Sequence, residues 1–303
     1  MQILMSEKSS LNSNNWNLKI FKLKFHSPVA GEVDSIKLYG ALLHSMKILY
    51  PDKFSDFYND IKQGKIAVSS LIPVVNNEVL LFKPMLWARV NMENRKNFKK
   101  IRYIPIDKAR EVLEKGEYTP EQVEDLINWA KDKNFPQLMI EEDIPKVSIP
   151  KTGGKTNIFY ENVKYLFGNW AVIIKEGNFS KEILSCLKYL GEHGVSKKVS
   201  WGLGRFDIVD RENFTYRISS GDYCYLLSKF APQKNEIKSI DFHSSYYEIK
   251  TIVGRTRAGK SFKQITLVEG SVLKLINKNV CGKVVELRSR DYEYSACFVA
   301  LFV

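Results

Sequence analysis

The first clear pattern in the chain is an alternation of apolar and polar residues. The segment WNLKIFKLKFHSP, residues 16–28, alternates apolar side chains with Lys22 and Lys24 and ends at Pro28. A period of two residues is typical of a half-buried β-strand, so the pattern predicts a first strand here.

The spacing then changes to that of a helix. In residues 34–51, Asp34 or Ser35 is in position to cap a helix and Pro51 is in position to end it. The apolar residues predicted to share one face of this helix are Ile36, Tyr39, Leu43, Met46 and Tyr50.

Four further apolar runs predict strands in two pairs. The first pair covers residues 65–75 and 78–84, and the second covers residues 157–167 and 170–176. The second pair is interpreted as the point where the core pattern resumes.

A glycine-rich loop, residues 191–204, follows the next predicted helix, which Ser180 caps and Gly191 ends. The glycines of this segment are Gly191, Gly194, Gly202 and Gly204. Glycine is required where the backbone takes a positive φ or where another group approaches it closely. An ordinary turn explains Gly191, whereas the other three need a further reason.

An insertion at residues 83–155 separates the two strand pairs, and its charge changes sign along its length. Residues 83–102 contain seven lysines or arginines and one acid, whereas residues 107–143 contain eleven acids and five bases. The segment TPEQ, which begins at Thr119, has the signature of a helix N-terminus with a capping box. The insertion is therefore predicted to be folded.

This order of strands and helices predicts an α+β fold of the βαββαβ, ferredoxin-like type. We expect a flexible tail at residues 1–15, a first ferredoxin-like domain at residues 16–212, and a second, smaller ferredoxin-like domain at residues 213–303. The apolar segment ACFVALFV near the C-terminus predicts a strand that is central or well covered.

The composition indicates a globular protein that favours polyanions. The chain has 303 residues, of which 44% are apolar, and 46 lysines and arginines against 34 acids give a net charge of +12. Such a charge attracts nucleic acid, although an inert basic surface is equally compatible with it. No signal peptide opens the chain and no apolar run reaches the ~18 residues of a membrane span, so we expect a soluble, cytoplasmic protein. The cysteines and histidines lack zinc-site spacings, so we expect reduced cysteines, no metal and no other cofactor.

The chemistry of the glycine-rich loop favours an RNA backbone as its ligand. Backbone amides and the hydroxyls of Ser196 and Ser200 suit phosphate oxygens, while Lys197 and Lys198 add positive charge. Trp201 can stack on a base. The alternative is an ordinary turn between a helix and a strand.

At this point the chain resembles a known family. The loop GVSKKVSWGLGRFDI is similar to the signature loop of the RAMP superfamily of CRISPR RNA-binding proteins. From about Trp16 onward the chain resembles, more narrowly, the guide-handle-capping subunits of type III-A CRISPR Csm effector complexes. The motifs that carry this resemblance, in family order, are FKLKFHSPV, LYGALL, LFKPMLW, RKNFKKIRYIPI, KVSIPKTGGKTNIFY and VEGSVLKL. The chain departs from the family pattern at VDSIK and PKTGG.

The resemblance implies a non-catalytic subunit that grips the 5′ handle of the CRISPR guide RNA. Such a subunit would hold the large polymerase-like subunit on one side and the first backbone subunit on the other, and its thumb-like insertion would press on the guide–target duplex. With the loop chemistry, the resemblance gives these candidate RNA-binding residues: His26, Ser27, Lys37, Arg95, Lys96, Lys99, Lys100, Lys151, Lys155, Gly194, Ser196, Lys197, Lys198, Ser200, Trp201, Gly202, Gly204, Arg205, Arg255, Arg257 and Lys260.

Three alternatives stay open. The segment GRTRAGKS, residues 254–261, matches the P-loop of ATPases, but a strand-like segment follows it where a P-loop requires a helix. A CRISPR RNA-processing endoribonuclease of the same superfamily would use an N-terminal histidine as general acid or base, and His26 and His44 are the candidates. His26 is the better placed of the two, although no second catalytic partner is evident. The third alternative is an adaptor that binds only protein.

Overall fold

The structure is a computed structural model that describes residues 18–132, 135–149, 156–214, 223–255, 261–277, 279–288 and 293–303. The predicted N-terminal tail lies outside this part of the chain. None of the helices described in these ranges is long and apolar enough to cross a membrane.

The described helices are α1 (Ser35–Leu49), α2 (Phe54–Lys62), α3 (Met92–Lys100), α4 (Ile106–Lys115), α5 (Pro120–Lys131) and α6 (Ser180–His193). The described strands are β1 (Leu18–Phe25), β2 (Val29–Ala30), β3 (Ala67–Val68), β4 (Ile72–Val75), β5 (Glu78–Phe82), β6 (Trp87–Ala88), β7 (Tyr103–Pro105), β8 (Glu117–Tyr118), β9 (Met139–Ser148), β10 (Asn157–Leu166), β11 (Asn169–Lys175), β12 (Phe206–Asn213), β13 (Tyr223–Tyr225), β14 (Ile240–Tyr246), β15 (Ile249–Arg255), β16 (Ser261–Leu267), β17 (Val272–Leu275), β18 (Gly282–Arg288) and β19 (Glu293–Val299). Short 3-10 turns lie at Pro51–Lys53, Val199–Trp201 and Ile237–Ser239.

The largest sheet has the strand order β12-β1-β11-β4-β5-β7, with β3 also paired to β11. Its neighbouring strands are antiparallel, and Leu23 of β1 lies opposite Trp170 of β11 and Ile208 of β12. Helices α1 and α6 pack against each other. Both helices share one buried cluster with the sheet, which includes Phe21 and Leu187. The predicted first strand and first helix are therefore confirmed.

Helix α1 begins as the sequence predicts. Asp34 is its N-cap, and the Asp34 carboxylate accepts a hydrogen bond of 3.0 Å from the backbone N–H of Lys37. The helix ends before Pro51. Tyr39, Leu43 and Met46 of its predicted face are buried, whereas Ile36 is partly buried and Tyr50 lies just past the helix. Leu38 and Leu42 are buried as well.

The first part of the insertion is built onto the main core. Thr119 and Gln122 form the predicted capping box at the start of α5. Strand β7 pairs with β5 and so extends the largest sheet. Phe98, Ile104 and Leu126 belong to the same buried cluster as β1, so the insertion is continuous with the sheet as far as α5.

The last described part of the insertion, β9, forms a ribbon with β10, the strand that follows the insertion. Strands β9 and β10 pair from Met139 opposite Leu166 to Ser148 opposite Asn157, and β2 adds a short third strand. Seven of the ten side chains of β9 and five of the ten of β10 are exposed, and only Val163 is buried in either strand. The prediction of a strand at residues 157–167 is therefore confirmed, whereas the interpretation that this strand resumes the core is wrong. Strand β9 was not predicted, because its acidic side chains interrupt the apolar alternation of a half-buried strand.

The C-terminal part of the chain forms small antiparallel sheets with the strand orders β13-β17-β14, β15-β16 and β18-β19. Its described residues contain only a 3-10 turn and no α-helix. A ferredoxin-like domain requires two helices, so the prediction of a second such domain is not supported. Strands β15–β16 and β18–β19 form hairpins instead, and β13 and β14 both pair with β17.

The two parts of the chain share a core. Residues 296–303 are buried, which confirms that the C-terminal apolar segment is well covered. Tyr225, Cys297 and Leu301 belong to the same buried cluster as β1 and α1. The division after residue 212 stays a prediction.

Candidate nucleic-acid interface

Helix α6 leads into the glycine-rich loop, and both of its ends differ from the prediction. Phe179 is the N-cap instead of Ser180, and the helix continues through Gly191. The Ser180 hydroxyl accepts a hydrogen bond of 2.6 Å from Nη2 of Arg211. A Cβ atom at Gly191 would lie 2.4 Å from the Phe206 carbonyl oxygen. Gly191 therefore allows α6 to approach β12 closely and does not end the helix.

The other glycines of the loop have backbone conformations that disfavour side chains. Gly194, Gly202 and Gly204 have φ values of 94°, 78° and 80°. A Cβ atom would lie 2.2 Å from the Leu203 carbonyl oxygen at Gly194, and 2.9 Å from the Val195 backbone nitrogen at Gly204. The loop is thus folded tightly on itself, and glycine is required at both of these positions.

Hydrogen bonds attach the loop to the segment between β1 and α1. The backbone N–H of Ala30 donates to Oγ of Ser196 (2.7 Å), and the backbone N–H of Arg205 donates to Oγ of Ser27 (2.8 Å). Both hydroxyls therefore fasten the loop to the sheet edge. RNA contacts by Ser27, Ser196 and Arg205 stay predictions.

Lysines of the loop and of α1 converge beside Gly31. A Cβ atom at Gly31 would lie 3.7 Å from Cε of Lys197 and 3.8 Å from Nζ of Lys37. Burial lowers the pKa of Lys37, Asp34 partly offsets this effect, and the charge of Lys197 lowers the pKa further. Lys197 and Lys198 are exposed. A bound anion would relieve the repulsion between these cations, so the cluster suits a phosphate group.

Trp201 gives the loop an aromatic surface of which 39% is exposed. The ring centroid lies 4.5 Å from Nζ of Lys198 and 5.2 Å from Nζ of Lys146, and 6.4 Å from the ring of Phe159. Trp201 thus connects the loop with the β9–β10 ribbon and offers a surface for base stacking. Lys146 and Phe159 were not among the predicted site residues, because only the pairing of β9 with β10 brings them to the loop.

His26 lies at the end of β1, beside the loop. Its Nε2 atom is 2.7 Å from Oδ2 of Asp207 on β12, and both side chains are exposed. The sequence offered no partner for His26, since strand pairing alone brings Asp207 beside it. His44 is an exposed residue of α1.

The remaining candidate residues lie in other places. Ser200 belongs to the 3-10 turn of the loop and is exposed. Arg95, Lys96, Lys99 and Lys100 are exposed on α3. Lys151, Lys155, Arg257, Lys260 and the side chain of Arg255 lie outside the described residues.

The P-loop alternative lacks its structural context. Strand β16 begins at Ser261 and pairs antiparallel with β15. A strand therefore follows the GRTRAGKS segment, where a P-loop requires a helix N-terminus to face the phosphates. Among the described residues, no three His, Cys, Asp or Glu side chains group in a way that could hold a metal ion.

A buried ion-pair network lies behind the lysine cluster and joins the two parts of the chain. Nζ of Lys229 is 2.9 Å from Oδ2 of Asp34, 3.2 Å from Oε1 of Glu269 and 3.7 Å from Oε2 of Glu32. Burial disfavours the charged ammonium, but the carboxylates of Glu269 and Asp34 outweigh that effect and raise the pKa of Lys229. The network fixes the N-terminus of α1, and therefore Lys37, relative to the C-terminal part.

This fold is similar to that of several proteins of known structure. No protein-family model and no curated protein sequence matches the chain. Among solved structures, this chain is similar to a chain from the crystal structure of the Csm3–Csm4 subcomplex in the type III-A CRISPR-Cas interference complex. The two chains are 18% identical, the match covers 94% of this chain and 98% of that chain, and the TM-score is 0.62. This chain is also similar to one from the Csm1–Csm4 cassette in complex with cA4, with 15% identity, coverage of 94% and 97%, and a TM-score of 0.62. A chain of the type III-B Cmr-beta complex bound to cognate target RNA and AMPPnP matches with 15% identity, coverage of 84% and 86%, and a TM-score of 0.52.

The chain thus has the RAMP-like fold of subunits of type III CRISPR effector complexes. More narrowly, it has the fold of Csm4, the subunit common to the Csm3–Csm4 and Csm1–Csm4 structures.

Proposed function

We propose that this protein is a non-catalytic, RNA-binding subunit of a type III-A CRISPR interference complex. The observation that carries the proposal is the exposed cationic loop, with Lys197, Lys198 and Trp201, on a fold that matches Csm4 over nearly the full length of both chains. Phosphates of a guide RNA would bind the lysines, and a base would stack on the tryptophan.

The partners follow from the same likeness. The related structures contain Csm4 together with Csm3 and with Csm1. We propose that this protein likewise bridges a large polymerase-like subunit and a backbone subunit, and that it holds the 5′ handle of the guide RNA between them. The strand order β12-β1-β11-β4, with α1 and α6, supports a ferredoxin-like first domain at residues 16–212. The exposed ribbon that β9 of the insertion forms with β10 suits the role of a thumb on the guide–target duplex.

Alanine at both Lys197 and Lys198 is expected to weaken binding of single-stranded guide RNA. The slope of the logarithm of the binding constant against the logarithm of the salt concentration should become shallower by up to ~1.4, since each lost phosphate contact on a single strand contributes ~0.7. Fluorescence anisotropy over a series of salt concentrations measures both quantities.

The matched control for this experiment is alanine at Lys234 and Lys238. These exposed lysines lie near the 3-10 turn Ile237–Ser239, and their loss gives the same change in net charge. An unchanged affinity and slope for the loop variant, or an equal loss in the control, would contradict the assignment of the RNA site.

A processing ribonuclease is the second candidate function, because His26 and Asp207 form a contact that a general acid–base pair could use. On the structural-subunit proposal, purified protein binds a repeat-derived RNA without cutting it. A ribonuclease would give a discrete product in a single turnover without added metal, and His26→Ala would slow its formation by ~100-fold or more.

We expect no product from the wild-type protein in this assay. His44→Ala is the control, since its side chain has no comparable carboxylate contact among the described residues. A site-specific product that is lost in His26→Ala and retained in His44→Ala would replace the proposed function with the catalytic one.

A further inference from the structure

A large groove lies between α3 and the C-terminal part of the chain. Its volume is about 970 Å³, and it is lined by residues of α3, of the segment after β5 and of the β15–β16 hairpin. Seven of the lining side chains are lysine or arginine and three are glutamate. Apolar side chains such as Met85 and Leu86 also line it. None of the lining residues belongs to the glycine-rich loop.

The cations that α3 contributes to this groove are available to a ligand. Arg95, Lys99 and Lys100 line the groove and are exposed. None of the three is within ion-pair distance of a carboxylate in the described residues. Arg102 and Lys229 differ in this respect, because acidic partners already neutralise them. The groove therefore has a row of uncompensated positive charge along one wall.

Lys83 adds a cation held in a fixed position. Its Nζ atom lies 3.8 Å from the centroid of the Phe98 ring and donates a hydrogen bond of 2.5 Å to the Phe98 carbonyl oxygen. Burial lowers the pKa of Lys83 to about 8. An anion in the groove would favour the charged form of this side chain.

The groove and the lysine cluster of the glycine-rich loop meet at Gly31 and Glu32. On one side, Lys37 lies beside Gly31 and donates a hydrogen bond to the Glu32 carbonyl oxygen. On the other side, the Glu32 carboxylate lies 3.8 Å from Arg102 and 3.8 Å from Lys250, both of which line the groove. The uncompensated cations of the loop and those of α3 thus lie on either side of a paired cluster, in which Glu32 contacts Arg102 and Lys250.

We infer that one single strand of RNA binds along this whole path, from the glycine-rich loop past Gly31 to the α3 wall of the groove. A row of cations suits a polyanion, because each phosphate along the strand can neutralise one of them and release counterions. A single phosphate would leave most of the row uncompensated. The inference rests on the proposed function and deepens it, since it extends the RNA site beyond the glycine-rich loop.

Alanine at both Lys99 and Lys100 tests this inference. A single-stranded RNA of about sixteen nucleotides, the upper end of the site sizes of single-strand-binding OB folds, is titrated onto the purified full chain in a series of salt concentrations. We expect one strand per protein molecule, an affinity roughly tenfold lower than that of the wild type, and a salt slope lower by up to ~1.4. The variant with alanine at Lys234 and Lys238 should bind as the wild type does.

The possible outcomes separate this inference from the proposed function. If alanine at Lys99 and Lys100 leaves the affinity unchanged while alanine at Lys197 and Lys198 lowers it, the groove inference is wrong and the loop assignment stands. If neither variant changes the affinity, both are wrong. If the wild type binds two strands and the variant with alanine at Lys99 and Lys100 binds one, the groove is a separate site and the inference of a continuous path is wrong. Loss of a protein partner with unchanged RNA affinity would identify an acidic protein segment as the ligand and would also overturn the inference.

Discussion

Replacement of Lys229 with methionine is expected to lower the free energy of unfolding by ~3–5 kcal/mol, the usual cost of removing one partner from a buried ion pair. The substitution keeps most of the side-chain volume but leaves the carboxylates of Asp34, Glu269 and Glu32 without their shared cation. Urea denaturation measures the change. Lys238→Met, at an exposed position, should stay within ~0.5 kcal/mol of the wild type.

The pH dependence of this difference gives a second test. Burial opposes ionisation of Glu32, but Lys229, Lys250 and Arg102 outweigh it and lower the pKa of this carboxyl. The stability that Glu32 contributes is therefore present above its unfolded pKa of ~4.3 and is lost as the pH falls through the lower folded value. The gap between wild type and Lys229→Met should shrink over the same acidic range. A Lys229→Met protein within ~1 kcal/mol of the wild type at neutral pH would contradict a buried, fully charged network.

Gly191→Ala is expected to destabilise the protein by ~2–3 kcal/mol, although alanine is the better helix former. The new Cβ atom would meet the Phe206 carbonyl oxygen at 2.4 Å, and backbone cannot move aside as a flexible side chain can. Helix α6 would then separate from β12, which carries the C-terminal end of the glycine-rich loop. Thermal and urea unfolding measure the effect.

Gly40→Ala in α1 is the matched control for this substitution. A Cβ atom at Gly40 would have no heavy atom within 4 Å, so here alanine should stabilise the protein by ~0.5–1 kcal/mol. If both substitutions stabilise the protein, the close approach of α6 to β12 is not a constraint on the sequence.

The parts of the fold that the sequence predicted are those that depend on local signals. The Asp34 cap of α1 and the Thr119 capping box of α5 are formed by residues three positions apart, so they are visible in the sequence. Gly191 was wrongly predicted to end α6, because a glycine near a helix end is also a common C-terminal signal. Its actual role depends on Phe206, which a strand pairing brings there.

The candidate site likewise has some features that the sequence predicts and others that depend on contacts between distant residues. The sequence placed Lys197, Lys198 and Trp201 on one exposed loop, where the structure also has them. It could not show that Asp207 lies beside His26, or that Lys146 lies beside Trp201, because both contacts depend on strand register. The α3 groove was also beyond sequence reasoning, since its walls come from distant parts of the chain.

The position of β1 between β11 and β12 has a consequence for how the protein folds. Leu18 pairs with Lys175, and Phe25 pairs with Phe206. Both partners of β1 therefore lie far from it in the sequence. Pairings of such long range form slowly, whereas the β4–β5 hairpin joins strands that are adjacent in the chain. The glycine-rich loop ends where β12 begins, and it is held to the residues that follow β1. We therefore expect the surface that is proposed to bind RNA to be among the last parts to form, so that a partly folded chain would lack it.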